Sequence, residues 1–137
     1  MPESTVRRAA RRRPAILLSE ADHDILIGLA ERNARRDPEA TRLLMEEADR
    51  ATLVPAAELP RNVVALGSQV VFTDAASGAT RRVQIVLPAE ADIGQGRVSV
   101  LSLVGAGLIG LKAGQSIEWP TQDGRLRRLT VLEAGMA

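Results

Sequence analysis

The sequence has no cysteine, and this absence excludes disulfide bonds, thiolate metal sites and cysteine nucleophiles. The single histidine, His23, is too little for a histidine-based metal cage. Aromatic residues are almost missing, since Phe72 and Trp119 are the only two, and an aromatic-lined ligand pocket is hard to build from them. These absences exclude cysteine chemistry and a histidine metal cage. Our expectation for the chain is no metal site, no cofactor, no catalytic residue and no enzymatic activity of its own.

Long hydrophobic runs are also lacking. The longest apolar stretch, residues 101–111, falls short of the roughly 20 residues that a bilayer-spanning helix needs. Near the N-terminus, only residues 15–18 form an apolar stretch after the arginines, and a signal-peptide core needs roughly 7–15 residues. We expect a cytoplasmic protein with no membrane partner.

Charge is unevenly distributed, although the net charge is only +1. Residues 1–14 hold five arginines and one glutamate, residues 15–59 hold five arginines and ten acids, and residues 60–137 hold eight bases and six acids. An acidic middle between two basic parts is a pattern that steers a charged partner.

The first basic part, residues 1–14, has no hydrophobic periodicity and predicts a disordered arm. Its arginines are either a solvated tail or a contact to nucleic-acid phosphates. The arginines in question are Arg7, Arg8, Arg11, Arg12 and Arg13.

Residues 15–55 predict a short antiparallel helical hairpin. Ser19 is placed to cap the first helix and Asp22 to complete a capping box, while the apolar residues that follow have helical spacing. Asp37 and Pro38 suit the start of a second helix, and Pro55 is expected to end it. At 1.5 Å per residue, the two helices are about 26 and 22 Å long.

Residues 56–61 predict a linker, and after it the hydrophobic period changes to two. The pattern predicts a domain over residues 62–137 in which one antiparallel sheet packs against a short helix, which makes the chain α+β. Its predicted strands are residues 70–73, 81–87, 98–103, 116–119 and 126–133, and its predicted helix is residues 104–111.

The stretch from Gly105 to Gly110 matches G-x-G-x-x-G, which is found in dinucleotide-binding folds. Such a site needs a long helix and an acid about 20 residues later, but Gly114 follows too soon and Glu118 and Asp123 come too early. We interpret the glycines as positions that let a helix approach the sheet closely.

Two acidic pairs have competing interpretations. Glu46 and Glu47 are adjacent on a helix and are most simply explained as a solvated face. Asp37 and Glu39 lie at the hairpin tip, where their role is either helix capping or the presentation of an acidic tip to a partner.

Several short motifs follow one another along the C-terminal half: Gly67-Ser68-Gln69-Val70, Glu90-Ala91-Asp92, Gly96-Arg97-Val98-Ser99, Ser102, Ala106-Gly107-Leu108-Ile109-Gly110 and Ala113-Gly114-Gln115. In their order and spacing they resemble the C-terminal domain of the Gre transcription elongation factors, and the resemblance covers roughly residues 62–133. Two further motifs lie in the hairpin, Pro14-Ala15-Ile16-Leu17-Leu18-Ser19 and Leu43-Leu44-Met45-Glu46-Glu47. With them the N-terminal part of the chain resembles the Rnk-type branch of that family (regulators of nucleoside diphosphate kinase), in which a short hairpin replaces a long coiled coil.

The resemblance implies an FKBP-like C-terminal fold that docks on RNA polymerase near the secondary channel. It implies that Ser102, Leu103 and Val104 form the docking edge and that Asp37 and Glu39 are the tip acids. In Gre factors the long hairpin carries tip acids to the polymerase active site and stimulates transcript cleavage. A hairpin of about 25 Å should not reach that far, so we expect binding and competition without cleavage stimulation.

The sequence departs from the Gre pattern at the predicted docking edge, where Leu103 replaces a proline after Ser102. Two other functions stay open at this point. An FKBP-like fold can catalyse peptidyl-prolyl isomerisation, although the two aromatic residues are few for a proline pocket. The arginines of residues 1–14 could instead make the chain a DNA- or RNA-binding protein.

Overall fold

The computed structural model describes residues 13–136, which form a helical hairpin followed by a β-rich part. This arrangement confirms the α+β prediction. In chain order the elements are β1 (Leu17–Ser19), α1 (Glu20–Asn33), α2 (Pro38–Arg50), β2 (Thr52–Val54), β3 (Ser68–Asp74), β4 (Ala79–Val86), β5 (Arg97–Ser99), α3 (Leu103–Leu108), β6 (Ser116–Pro120) and β7 (Leu126–Met136).

Helix α1 begins where the sequence predicts. The N–H of Asp22 donates to the Ser19 hydroxyl at 3.0 Å, so Ser19 is the N-cap. The predicted capping box is wrong in its second half, because the Asp22 carboxylate accepts the N–H of Leu66 at 3.1 Å instead of reaching back. Asp22 therefore ties the start of the hairpin to the start of the β-rich part.

Helix α2 begins at Pro38 as predicted, with Asp37 at the N-cap position, but the Asp37 side chain makes no capping hydrogen bond. The prediction that Pro55 ends this helix is wrong, since α2 ends at Arg50. The chain leaves the helix early because β2 pairs in parallel with β1 in a two-stranded sheet that the sequence analysis missed. This pairing joins the two ends of the hairpin.

The main sheet has five strands in the order β5-β4-β3-β7-β6. Strand β3 pairs antiparallel with β4 and β7, and β6 pairs antiparallel with β7. The prediction of a wholly antiparallel sheet is wrong at one edge, because β5 runs parallel to β4. Strand β5 is also shorter than predicted, since Ser102 already caps α3 and the chain turns into the helix at Leu103.

The glycines of α3 lie against the sheet, which confirms that they let this helix approach it closely. A Cβ on Gly107 would lie 2.9 Å from ring atoms of Trp119, and one on Gly105 would lie 2.1 Å from the carbonyl oxygen of Ser99. The Trp119 indole N–H donates to the Leu103 carbonyl at 2.6 Å, which ties β6 to the start of α3. These contacts explain the G-x-G-x-x-G stretch through packing.

One hydrophobic core runs through both parts of the described chain. Helix α2 packs on α3, and leucines of the hairpin share a cluster of buried residues with the sheet. The core includes Leu26 and Leu44 of the hairpin and Ile85, Leu108 and Trp119 of the β-rich part. None of the helices within residues 13–136 is long and apolar enough to cross a membrane.

Candidate functional site

The β-rich part contains a large concavity of about 880 Å³ between the sheet, helix α3 and the β6–β7 turn. Its apolar lining comes from the sheet and from α3, and includes Phe72, Val83, Val98 and Val104. Trp119, the other aromatic residue, is fully buried beneath Gly107 and does not line this concavity. Among the described residues, Phe72 is therefore the aromatic side chain that lines this concavity.

The charged side chains that line this concavity are mostly cationic. They are Arg81, Arg125 and Arg127, together with Asp123. Arg127 donates to the Asp74 carboxylate at 2.9 Å, and Arg125 lies 3.7 Å from Asp123. The Thr121 hydroxyl donates to Asp123, and this hydrogen bond, with a weaker one from the Arg125 N–H, lowers the pKa of Asp123.

A second groove, of about 460 Å³, lies between the hairpin tip and the β-rich part. Asp37 and Glu39 line it from the hairpin, and Ser102 and Leu103 line it from the other side. Four of the five residues predicted to bind a partner are thus brought together here, while Val104 lines the larger concavity. The hairpin tip lies beside the β6–β7 turn, since Thr121 and Gln122 of that turn line the same groove.

The tip acids differ in their surroundings. Glu39 forms an ion pair with Arg42 at 2.8 Å on the exposed face of α2. Asp37 is exposed, and its carbonyl, rather than its carboxylate, accepts hydrogen bonds from Thr41. Within residues 13–136, the Asp37 carboxylate therefore has no hydrogen-bond or ion-pair partner, in contrast to Glu39.

Ser102 and Leu103 line both concavities and are held rigidly between them. The Ser102 hydroxyl accepts the N–H of Gly105 at 3.0 Å and donates to the Ser99 carbonyl at 2.7 Å. The Leu103 carbonyl accepts the Trp119 indole N–H. The predicted docking edge is therefore a ridge that hydrogen bonds tie to Ser99 of β5 and to Trp119 of β6.

Arg13 differs from the rest of the predicted arginine arm. Its guanidinium lies 3.0 Å from Glu46 and 3.1 Å from Glu47, and its central carbon is 5.3 Å from the centre of the Trp119 ring. Arg13 thus fastens the chain to α2 and β6, and the prediction that it belongs to a free arm is wrong. The nucleic-acid predictions for Arg7, Arg8, Arg11 and Arg12 lie outside the described residues.

Glu47 is a further residue whose role the sequence analysis missed. Its side chain is fully buried and pairs with Arg50 at 2.7 Å as well as with Arg13. The interpretation of Glu46 and Glu47 as a solvated face is wrong for Glu47. The available signal was its spacing of four and three residues from Leu43 and Leu44, which places it on the buried face of α2.

Glu46 makes the stability contributed by its ion pairs with Arg13 and Arg42 dependent on pH. Partial burial raises the pKa of the Glu46 carboxyl, but hydrogen bonds and positive charge from Arg13 and Arg42 outweigh that effect and hold its pKa below the ordinary value. A carboxyl group whose pKa is lower in the folded state stabilises that state at pH values above its unfolded pKa of about 4.3. This stabilisation is lost as the pH falls through the pKa of the folded state.

We therefore expect wild type to be more stable than Glu46→Gln at pH 7 and the difference to shrink below about pH 4. Chemical denaturation of both proteins from pH 7 to pH 3 would measure it. A difference that stays constant or grows toward low pH would contradict the assigned ion pairs.

The described residues contain no group of three or more His, Asp and Glu side chains placed to hold a metal ion. Residues 13–136 instead offer two adjoining concavities, with an apolar lining, a rigid ridge and charged rims. This arrangement suits the binding of a segment of another macromolecule.

Comparisons with known proteins agree with the motifs. The family model "Transcription elongation factor, GreA/GreB, C-term" matches residues 59–135. The regulator of nucleoside diphosphate kinase of Escherichia coli K12 is 34% identical over 121 residues, covering 88% of this chain and 89% of that protein. The transcription elongation factor GreA of Beijerinckia indica is 31% identical over 132 residues, covering 90% of this chain and 84% of that protein.

A solved structure supports the same relationship. The prokaryotic transcription elongation factor GreA/GreB from Nitrosomonas europaea superposes with a TM-score of 0.68 at 32% identity. The alignment covers 90% of this chain and 99% of that chain. The hairpin and the β-rich part are therefore both included in the similarity.

Proposed function

Because the chain belongs to the GreA/GreB family of transcription elongation factors, we propose that it regulates transcription by binding RNA polymerase near the secondary channel. The FKBP-like β-rich part docks on the polymerase through the ridge of Ser102 and Leu103 and the adjoining Val104. The chain itself does not stimulate transcript cleavage. The relatives are named as transcription factors and as a regulator, which supports a regulatory role over a catalytic one.

Family membership supports polymerase binding, and the shortness and position of the hairpin support the proposed absence of cleavage stimulation. Helices α1 and α2 have 14 and 13 residues, which correspond to about 21 and 20 Å. The tip acids Asp37 and Glu39 line a groove against the β-rich part. Acids held beside the docking ridge would stay near the polymerase surface, far from a recessed catalytic magnesium ion.

Within residues 13–136 no observation favours either of the two alternative functions. A proline-binding isomerase pocket is expected to be lined by aromatic rings, but Trp119 is buried under α3. Of the arginines that could contact nucleic acid, Arg13 is engaged by Glu46 and Glu47. We therefore propose the polymerase-binding function alone.

We expect the purified chain to bind core RNA polymerase in a pull-down and to be displaced by an excess of a GreA factor. Displacement is expected because both proteins would bind at the entrance of the polymerase secondary channel. A pull-down that retains no protein would refute polymerase binding, and binding that is insensitive to GreA would place the contact elsewhere.

In a stalled-complex cleavage assay, we expect no acceleration of transcript cleavage over polymerase alone. A GreA factor assayed in parallel is the positive control and should accelerate the same reaction. Robust cleavage with this chain that is lost in Asp37→Ala and Glu39→Ala would show that the tip does reach the active site, and would overturn this part of the proposal.

A further inference from the structure

The large concavity has apolar side chains that are exposed at its rim. Ile93 is 83% exposed and Leu126 is 42% exposed, and both line the same concavity as the buried Phe72. Exposed apolar residues that are contiguous around one concavity, unlike isolated ones, are typical of interaction sites. The floor and rim together thus provide a seat for an apolar side chain.

Positive charge lies beside this seat. In the antiparallel pairing of β3 with β4, Arg81 is directly opposite Phe72, so both side chains are on the concave face. Among the described residues no side chain forms a hydrogen bond or ion pair with Arg81. The neighbouring Arg82 is opposite Val71 and therefore points to the other face of the sheet.

Arg127 also lines this concavity, but its charge is already engaged. Its side chain is only 15% exposed, and its Nη1 is paired with Asp74. Its Nε is buried and has no hydrogen-bond partner within the described chain. Because Asp74 lies against Arg127 and Asp123 lies near Arg125, Arg81 is the arginine of this lining that has no ion-pair partner among the described residues.

We infer that the large concavity binds a segment of RNA polymerase that combines an apolar residue with a nearby aspartate or glutamate. The apolar side chain packs over Phe72 between Ile93 and Leu126. The carboxylate pairs with Arg81. This inference rests on the proposed function and specifies the chemistry of its docking site.

The first test measures the affinity of the full chain for core RNA polymerase. Arg81→Glu is expected to weaken binding roughly tenfold or more, because it replaces attraction by repulsion at the contact. The matched control is Arg82→Glu, which makes the same charge change on the opposite face and should stay within about twofold of wild type. Both residues are exposed, so neither change is expected to disturb folding.

The outcomes separate the two proposals. If wild type binds and Arg81→Glu binds equally well, the acidic-segment inference is wrong while polymerase binding stands. If Arg82→Glu is weakened as much as Arg81→Glu, the effect is general electrostatics and the inference is again wrong. If wild type does not bind polymerase at all, both proposals fail together.

The second test identifies the segment. A photoreactive phenylalanine at Leu126 is expected to crosslink to one polymerase segment that contains an apolar residue within a few positions of an aspartate or glutamate. Neutralising that acid in polymerase should weaken binding of wild type but not that of Arg81→Gln. Crosslinks to a segment without an acid, or equal weakening of both proteins, would overturn the inference. The same probe at Arg82 is the control and should give no such crosslink.

Discussion

Glu47→Gln is expected to lower the free energy of unfolding by about 3 kcal/mol, the largest effect of any single change proposed for this chain. Glu47 is fully buried and is the shared partner of Arg13 and Arg50. Removing one member of a buried ionic cluster leaves the remaining charges without compensation, which typically costs about 3–5 kcal/mol. Because Arg13 and Arg50 keep 14% and 26% of their side-chain surface exposed, the lower end of that range applies.

Denaturant unfolding of wild type, Glu47→Gln and Glu46→Gln would measure this effect. Glu46 is the matched control, since the same change is made one position away on a side chain that is 39% exposed. Ion pairs at such exposed positions contribute about 0–1 kcal/mol. Equal losses for the two variants would show that burial of Glu47 is not what gives the cluster its strength.

A double-mutant cycle isolates the contact that joins the residues before β1 to the hairpin. Arg13→Met and Glu47→Gln should be non-additive, with a coupling of about 1 kcal/mol or more, because the two groups are in direct contact. Additive effects would mean that Arg13 contributes mainly through its stacking on Trp119.

Gly105→Ala is expected to destabilise the chain by about 1–3 kcal/mol, contrary to the usual effect of this change in a helix. Alanine in a helix is ordinarily preferred over glycine by about 1 kcal/mol. At Gly105, however, the added Cβ would lie 2.1 Å from the Ser99 carbonyl oxygen, and relief requires α3 to move away from β5. Overpacking against backbone is costly because the backbone cannot yield as a flexible side chain can.

Gly28→Ala in α1 provides the control. The nearest atom to its added Cβ is the guanidinium end of Arg32 at 3.1 Å, a flexible side chain that can yield at little cost. This variant should be stabilised by up to about 1 kcal/mol. Thermal unfolding of both variants would decide, and a stabilised Gly105→Ala would refute the close packing of α3 on the strand.

The parts of the fold that the sequence predicts best are those encoded by local chemistry. Ser19 marks the start of α1 through its own hydroxyl, and Pro38 marks the start of α2 through its fixed φ. The alternation of polar and apolar residues likewise identifies β3, β4, β6 and β7. Each of these signals acts over a few residues, so reading the chain in order is sufficient.

The features that the sequence does not predict depend on distant partners. Strands β1 and β2 have three residues each, too few for a periodic pattern, and exist because they pair across the whole hairpin. Glu47 can be buried only because Arg13 and Arg50 approach it from two directions. The helical spacing of Glu47 from Leu43 and Leu44 is a local signal of burial, but a glutamate is almost always exposed unless it is paired, and its partner Arg13 lies 34 residues away in the sequence.

The residues of the candidate site also fall into those that the sequence predicts and those that it does not. The resemblance to Gre factors directs attention to Ser102, Leu103 and Val104, and the structure places all three on the walls of the two concavities. The positions of Arg81 and Arg127 beside the larger concavity come from strand pairing and turn geometry. A single sequence offers no local sign that these arginines face the same space.

The pairing of β1 with β2 has a consequence for how such proteins can differ in reach. The two ends of the hairpin lie side by side in register, Leu17 with Thr52 and Ser19 with Val54, while the opposite end is a turn. Inserting seven residues into each helix near that turn would carry the tip about 10 Å further without altering the base. The length of the hairpin can therefore change without any change at its base, and the same β-rich part can carry either a short or a long hairpin.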